Sequence, residues 1–379
     1  MSRRTDFQKI LRHEQPDNLI LDLGGCPLST MEGDSMYRLL AHLGYEVPER
    51  IERLRFGKTR RIDERILERL DIDTRSVGEI YVPKNSLYRM ITPDKYVDEW
   101  GITRAFTGGL YWEQTDFPLK GATVADLDRF QWPDPDSIDR ALVEKDAAEA
   151  RRLYEETDYI VCAEHPVYGV FELGCWMCGF DDFLLKMGID PDFVVKFFDK
   201  VWEYQKRVIE IYYGALGRYI HYTSSGDDFA TQSSLFVSVD MFNELIKPYL
   251  KKRIAYTKQF TDAAFLHHSC GSVFPLIGEL VDAGVDILNP IQPKASFMAP
   301  DNLKAHYGDR IVFHGGLDTQ EVLPFGTRES VGEAVRETIG ALNRDGGYIF
   351  AAAHNIQEDV PAANVAYMFE AARQYGRKQ

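Results

Sequence analysis

The sequence predicts an α/β fold, a single (β/α)₈ barrel, on three observations. From about residue 158 onward, short β-rich runs alternate with amphipathic helical stretches, polar residues gather where those runs end, and no Gly-x-Gly-x-x-Gly turn opens a helix after the first run. The alternation implies parallel β/α units. A doubly wound sheet would also alternate, but its nucleotide-binding turn is missing.

The runs are YIVCAEHP (159–166), YIHYTSSGDD (219–228), AFLHHSCG (264–271), DILNPIQP (286–293), RIVFHGG (310–316) and GYIFAAAHN (347–355). Between them, 191–217, 239–260 and 329–345 repeat apolar residues at three and four, the spacing of outer helices. NLILDLGG (18–25) reads as a first barrel strand, whereas 90–122 alternates aromatic and polar residues as β-hairpins do. The expectation is one domain over 1–379 with an antiparallel hairpin insertion at 90–122. No internal repeat or Pro/Ser-rich linker argues for a second domain.

Composition narrows the function classes. No stretch reaches the roughly 18 apolar residues of a membrane span, and the polar opening MSRRTDFQKILRHEQPD is unlike a signal peptide, so a cytoplasmic protein is expected. A net charge of −15 opposes nucleic acid and anionic membranes as partners; the basic run RLRFGKTRR (53–61) reads as a solvated helix face. Five cysteines in a chain of 379 residues make no disulfide framework, which leaves metal ligation or nucleophilic chemistry for any special thiol.

A barrel places the loops after its strands together over the axis, so the strand ends are where chemistry is sought. In His268-Ser269-Cys270-Gly271, residues two apart turn to one face, and His268 and Cys270 can share a site. His354 ends the last run, which closure brings round to its earlier neighbours. Two imidazoles and a thiolate with an open fourth position would suit catalytic Zn²⁺; the plainer alternative is a buried thiol and hydrogen-bonded histidines.

Asp227 and Asp228 follow another strand, with Gln232 just beyond. They read either as substrate-orienting or proton-handling carboxylates, or as a loop whose Asp228 caps the next helix. Asn289, Gln292, His314 and Asp318 stand at the ends of the next two runs and could grip a polar substrate, although Asn289-Pro290 could equally shape a turn. Cys175 and Cys178 form a C-x-x-C in apolar surroundings with no second pair, the pattern of core packing. His165 and Glu172 lie near a strand end without further support.

At these residues the sequence resembles the superfamily of uroporphyrinogen decarboxylase and the zinc-dependent corrinoid methyltransferases that act on thiols. The resemblance is carried by GDDFATQSSLFVSVDMFNELIKPYLKK (226–252), HHSCG (267–271), DILNPIQP, YGDRIVFHGGLDTQEVLPFGT (307–327) and GGYIFAAAHNIQEDVPAANV (346–365), in the expected order, with LDIDTRSV (70–77) matching in general layout. It implies a (β/α)₈ barrel. The decarboxylases hold a tetrapyrrole's carboxylates with an N-terminal Arg-Gln-Ala-Gly-Arg segment, where this chain has GGCPLSTMEGDSMYRLLAHL (24–43). The methyltransferases carry His-x-Cys and a later Cys as zinc ligands; His268 and Cys270 match the first two, and His354 stands where the third belongs.

What the resemblance implies is a zinc-dependent methyltransferase, with a methylated corrinoid (methylcobamide) on a separate small protein as donor, a small thiol as acceptor, and Asp227 and Asp228 orienting the acceptor or a proton. The alternative is a metal-independent decarboxylase in which His354 and an aspartate manage protons on a polycarboxylate. A barrel that binds a ligand without turnover is the reading from a third class, opposed by the reactive groups at the strand ends.

Overall fold

The computed structural model describes residues 2–49, 61–108 and 112–377; most of the basic run at 53–61 lies outside them. Eight parallel strands stand in the order β1-β12-β11-β10-β9-β8-β7-β2. They are β1 (Ile20–Leu21), β2 (Thr74–Val77), β7 (Ile160–Glu164), β8 (Tyr222–Gly226), β9 (Ala264–His268), β10 (Ile287–Ile291), β11 (Val312–Leu317) and β12 (Tyr348–Ala352). All six runs predicted after residue 158 form strands, and the order is that of a (β/α)₈ barrel. Its seam, between β1 and β2, is closed by one backbone bond, Asp73 N–H to Leu21 O at 3.0 Å, and by Asp73's carboxylate accepting the Leu21 N–H at 2.7 Å.

Alternation sorts the strand residues into two apolar groups. Ile160, Cys162, Tyr222, Leu266, Ile287, Val312 and Ile349 fill the barrel with Phe7 and Ile10, which the first helix, Arg3–Leu11, contributes. Phe7 packs on Tyr222 with ring centroids 5.7 Å apart, closing the end away from the strand C-termini. The opposite faces, with Val161, Phe265, Leu288, Phe313 and Phe350, pack on the outer helices in a second, larger cluster. Among these, Pro191–Leu216 and Arg328–Leu342 match the amphipathic stretches of the sequence. The stretch at 239–260 is interrupted by a π-turn at Phe242–Ile246: Pro248 has no N–H for the Glu244 carbonyl and its ring crowds it, so the turn widens.

The insertion is larger than one hairpin. β3 (Arg89–Thr92), β4 (Lys95–Val97), β5 (Thr103–Phe106) and β6 (Trp112–Asp116) make an antiparallel sheet in chain order. Arg104 of β5 is buried, paired with Asp98 at 2.8 Å and placed over the Trp176 ring at 5.3 Å, which fastens the sheet to the helix that follows β7. Among the described residues, no helix is long and apolar enough to cross a membrane.

Candidate functional site

Inward-facing His268 ends β9, and Cys270 follows two residues later on the loop. Across the mouth, β12 ends at Ala352 and delivers His354. The loop carrying His354 is tied to the loop after β1: Thr30 donates its N–H to the Asn355 side-chain oxygen at 3.0 Å, and Asn355 donates to Glu32 at 2.8 Å. One donor atom from each of His268, Cys270 and His354 lies within 4.8 Å of the others. His268 Nε2 is 3.3 Å from Cys270 Sγ, and the rings of His268 and His354 are 5.4 Å apart at 72°. His268 is buried, whereas Cys270 and His354 keep partial exposure toward the mouth.

The backbone here follows from local sequence. Gly271 has φ +82°, and a Cβ there would sit 2.3 Å from the Thr231 carbonyl, so only glycine lets the chain leave Cys270 at this angle. Gln292 braces the same turn: its Oε1 accepts the Gly271 N–H at 2.8 Å and Gln232 Nε2 at 3.1 Å, while its Nε2 reaches Cys270 Sγ at 3.6 Å. Gln232 and Gln292 line a cleft with Lys294, Asp318, Gln320 and Ala353.

The two aspartates divide. Asp228 faces the cluster, with Oδ1 3.7 Å from His268 Nε2 and 2.7 Å from the Cys270 N–H it accepts. Asp227 turns away. It accepts the N–H groups of Phe171 at 3.2 Å and Glu172 at 2.7 Å, so it caps the helix Val170–Cys178 of the preceding β/α unit. Of the two aspartates expected as site carboxylates, only Asp228 stands at the cluster; the cap, which the alternative gave to Asp228 on the next helix, is made by Asp227 on the preceding one. Gly169 leaves room for this cap, since a Cβ there would lie 2.1 Å from the Asp227 carboxyl carbon. Gly169→Ala is expected to destabilise the fold by about 1–3 kcal/mol, read as a lower urea midpoint.

Two further expectations are corrected. Asn289 and His314 point inward from β10 and β11 and are fully buried beneath the rim, so they hold neighbouring side chains and present no face to a substrate. Asn289 lies within β10 and shapes no loop turn there; its side chain bridges His268 Nδ1 at 2.6 Å and His314 Nδ1 at 2.7 Å. Asp318 lines the cleft, where its oxygens accept the backbone N–H groups of Gln320, Glu321 and Val322 at 3.3, 2.9 and 3.0 Å.

His165 faces outward, between Tyr213 and Phe265, and does not reach the mouth. Cys175 and Cys178 are buried in their helix. Sequence reasoning missed two groups. Arg253 is buried behind Asp227, donating to Ser225 Oγ at 2.6 Å and to the Tyr168 carbonyl at 3.2 Å; in the sequence it is one basic residue of an amphipathic helix. Asp22, just past β1, looks like any strand-end polar residue. With Cys26 and His314 it forms a second cluster of ligand types, fully buried, in which Asp22 and His314 are hydrogen-bonded at 2.8 Å.

The electrostatics follow from burial. Burial lowers His268 and His354 to about 4, so both imidazoles are neutral at pH 7. Burial first, then the charges of Asp228 and Glu172, holds the Cys270 thiol well above its ordinary value. Glu172 shares this acidic pocket and is pushed well up by burial and by Asp228 and Asp227; burial also raises Asp228. The pocket thus holds neutral nitrogen donors, one protonated thiol and carboxyls able to hold protons.

A parallel barrel with a His-Cys-His cluster open at its C-terminal mouth defines a protein with its reactive groups where barrel enzymes carry theirs. The chain belongs to the uroporphyrinogen decarboxylase (URO-D) family, whose model matches residues 114–375. A solved structure, a methyltransferase from Methanosarcina mazei, covers 99% of this chain and 99% of its own at 16% identity with a TM-score of 0.64, a likeness of fold. The carboxyl transferase domain of Rhizobium etli pyruvate carboxylase, solved with pyruvate, is similar over 63% of this chain and 39% of its own, at 13% identity and a TM-score of 0.29. No curated protein sequence matches the chain.

Proposed function

We propose that this chain is a zinc-dependent methyltransferase of the family, moving a methyl group between a corrinoid carried by a separate protein and a small thiol or related acceptor. One observation carries the reading: His268, Cys270 and His354 present donor atoms within 4.8 Å of one another at the barrel mouth. Two imidazoles and a thiol are a donor set that Zn²⁺ accepts while leaving a position for water or substrate, and Cys270 and His354 are the partly exposed members of the set. The whole-length likeness of fold to the Methanosarcina mazei methyltransferase agrees with this reading.

When bound, Zn²⁺ would supply a Lewis acid that lowers the pKa of an acceptor thiol. The remaining work falls to the chain. His268, Cys270 and His354 would hold the ion, and Gln292 with Gln232 would keep the Cys270 turn in place. Asp228, anchored by the Cys270 N–H, stands beside the cluster 3.7 Å from His268 Nε2, and its raised pKa suits it to take up the acceptor's proton.

The test is elemental analysis of untagged protein, followed by methyl transfer from methylcobalamin to small thiols. About one zinc per chain with thiol methylation supports the proposal; full activity in chelator-stripped protein overturns it. The pH dependence gives a second check. At pH 7 the imidazoles are already neutral while the thiol still carries its proton, so zinc uptake should release at least one proton per chain, read with an indicator dye in weak buffer. Affinity should fall about tenfold per pH unit on acidification, because the proton competes for Cys270. Below about pH 4 it should fall more steeply, as His268 and His354 also protonate.

A further inference from the structure

Four side chains run as a column through the upper barrel, from β1 to β9. Asp22 accepts from the Gly25 N–H at 2.9 Å, from Ser29 Oγ at 2.6 Å and from Thr74 Oγ1, and its Oδ2 lies 2.8 Å from His314 Nε2. His314 Nδ1 meets the Asn289 amide at 2.7 Å, and the other end of that amide meets His268 Nδ1 at 2.6 Å. His268 Nε2 then faces Cys270. Asp22, Asn289 and His314 are fully buried, so each contact must pair one donor with one acceptor.

The donor inventory orders the protons in one direction. Asp22 is surrounded by donors; burial alone would raise its pKa, but the bonds from His314, Ser29 and Thr74 outweigh that and keep it ionised, an acceptor only. His314 must therefore carry a proton on Nε2. On its other side the structure sets the Asn289 NH₂, a donor only, 2.7 Å from His314 Nδ1, which must therefore accept, and the Asn289 oxygen 2.6 Å from His268 Nδ1. That oxygen can only accept, so the His268 proton sits on Nδ1 and its Nε2 lone pair is left bare beside Cys270 and His354.

We propose that Asp22, His314 and Asn289 are positioning residues that lock His268 in the Nδ1-protonated tautomer, with Nε2 as the ligand atom. The function of this lock as a metal-site device rests on the zinc reading above. The ordering of protons does not, since it is a property of the metal-free chain. The opposite orientation of the Asn289 amide would place the proton on Nε2 and remove that lone pair. Partners of this kind behind a ligating histidine change metal affinity by about 10- to 100-fold.

The experiment is two-bond ¹H–¹⁵N correlation NMR on chelator-stripped protein labelled at its histidines, nine in the sequence, with His268→Ala used to assign the His268 signals. The expected pattern is a protonated Nδ1 and a bare Nε2 at pH 7. A proton on Nε2 overturns the proposal, whatever the chain does with zinc. Two variants then separate positioning from packing. Asn289→Leu fills the volume without hydrogen bonds and should give mixed tautomers and about 10- to 100-fold weaker zinc binding. Asn289→Asp keeps an acceptor on the His268 side and should retain the tautomer and most of the affinity. Equal loss in both variants would mean that Asn289 acts by packing alone, and the proposal would fall. If the wild-type chain binds no zinc, the methyltransferase reading fails, while the NMR pattern still decides the column.

Discussion

Cys270→Ser is expected to lose bound zinc and, with it, methyl transfer. A zinc site is worth about 10–16 kcal/mol, so one ligand of a four-coordinate site carries roughly 3 kcal/mol or more, about a hundredfold in affinity. Serine cannot make up the difference, because a hydroxyl deprotonates far less readily than a thiol and is a harder donor. His354→Ala should behave alike, since it removes a ligand from the opposite side of the mouth. Both residues are partly exposed at the end of the barrel, so the fold should survive, with an unchanged urea midpoint in the metal-free state. Elemental analysis of the two variants beside wild type checks this. Zinc retained at one per chain in Cys270→Ser would place the metal elsewhere, with Asp22, Cys26 and His314 the next cluster to test.

The second large effect is expected in stability. Asp227→Ala removes a carboxylate that accepts two N–H groups at the start of the helix Val170–Cys178 and leaves both donors unpaired where water does not reach. It also takes from the buried Arg253 an anion that favours its charge. Losing an exposed N-cap costs about 1 kcal/mol, but here two buried donors are left unpaired at about 1–3 kcal/mol each, which puts the loss at roughly 2–6 kcal/mol. Asp227→Asn keeps one acceptor oxygen and should recover about half of that. Urea denaturation measures the loss, and zinc content of the folded protein should stay at the wild-type level. An Asp227→Asn protein as stable as wild type but inactive would instead return Asp227 to the chemistry.

Much of the barrel was legible because its strands are buried on both faces and read as nearly continuous apolar runs. β2 was the exception. Thr74–Val77 is four residues with an arginine, and only the structure shows Arg75 turned outward over the Tyr159 ring at 3.6 Å and paired with Glu64. The His268–Cys270 pair was legible because alternation along a strand is local. The roles of the other strand-end residues were not, for two physical reasons. A polar residue one step below the rim, such as His314 or Asn289, faces the interior and carries the same sequence pattern as one that faces substrate. A carboxylate on one unit can cap the helix of another, as Asp227 does, and sequence adjacency favours the wrong helix. The insertion was legible as antiparallel by its aromatic alternation, but not in its strand count.

The column from Asp22 to His268 occupies a level of the barrel that branched aliphatic side chains would otherwise fill. Hydrogen bonds there must all be made at once, whereas aliphatic side chains tolerate exchange, so an apolar plug is the easier solution for a protein judged only by its melting temperature. Directed evolution toward heat resistance, or a consensus built without regard to activity, would thus tend to erase these positions first. Such a barrel would be sturdier and blind to its metal, a reason to hold Asp22, Asn289 and His314 constant when this scaffold is engineered.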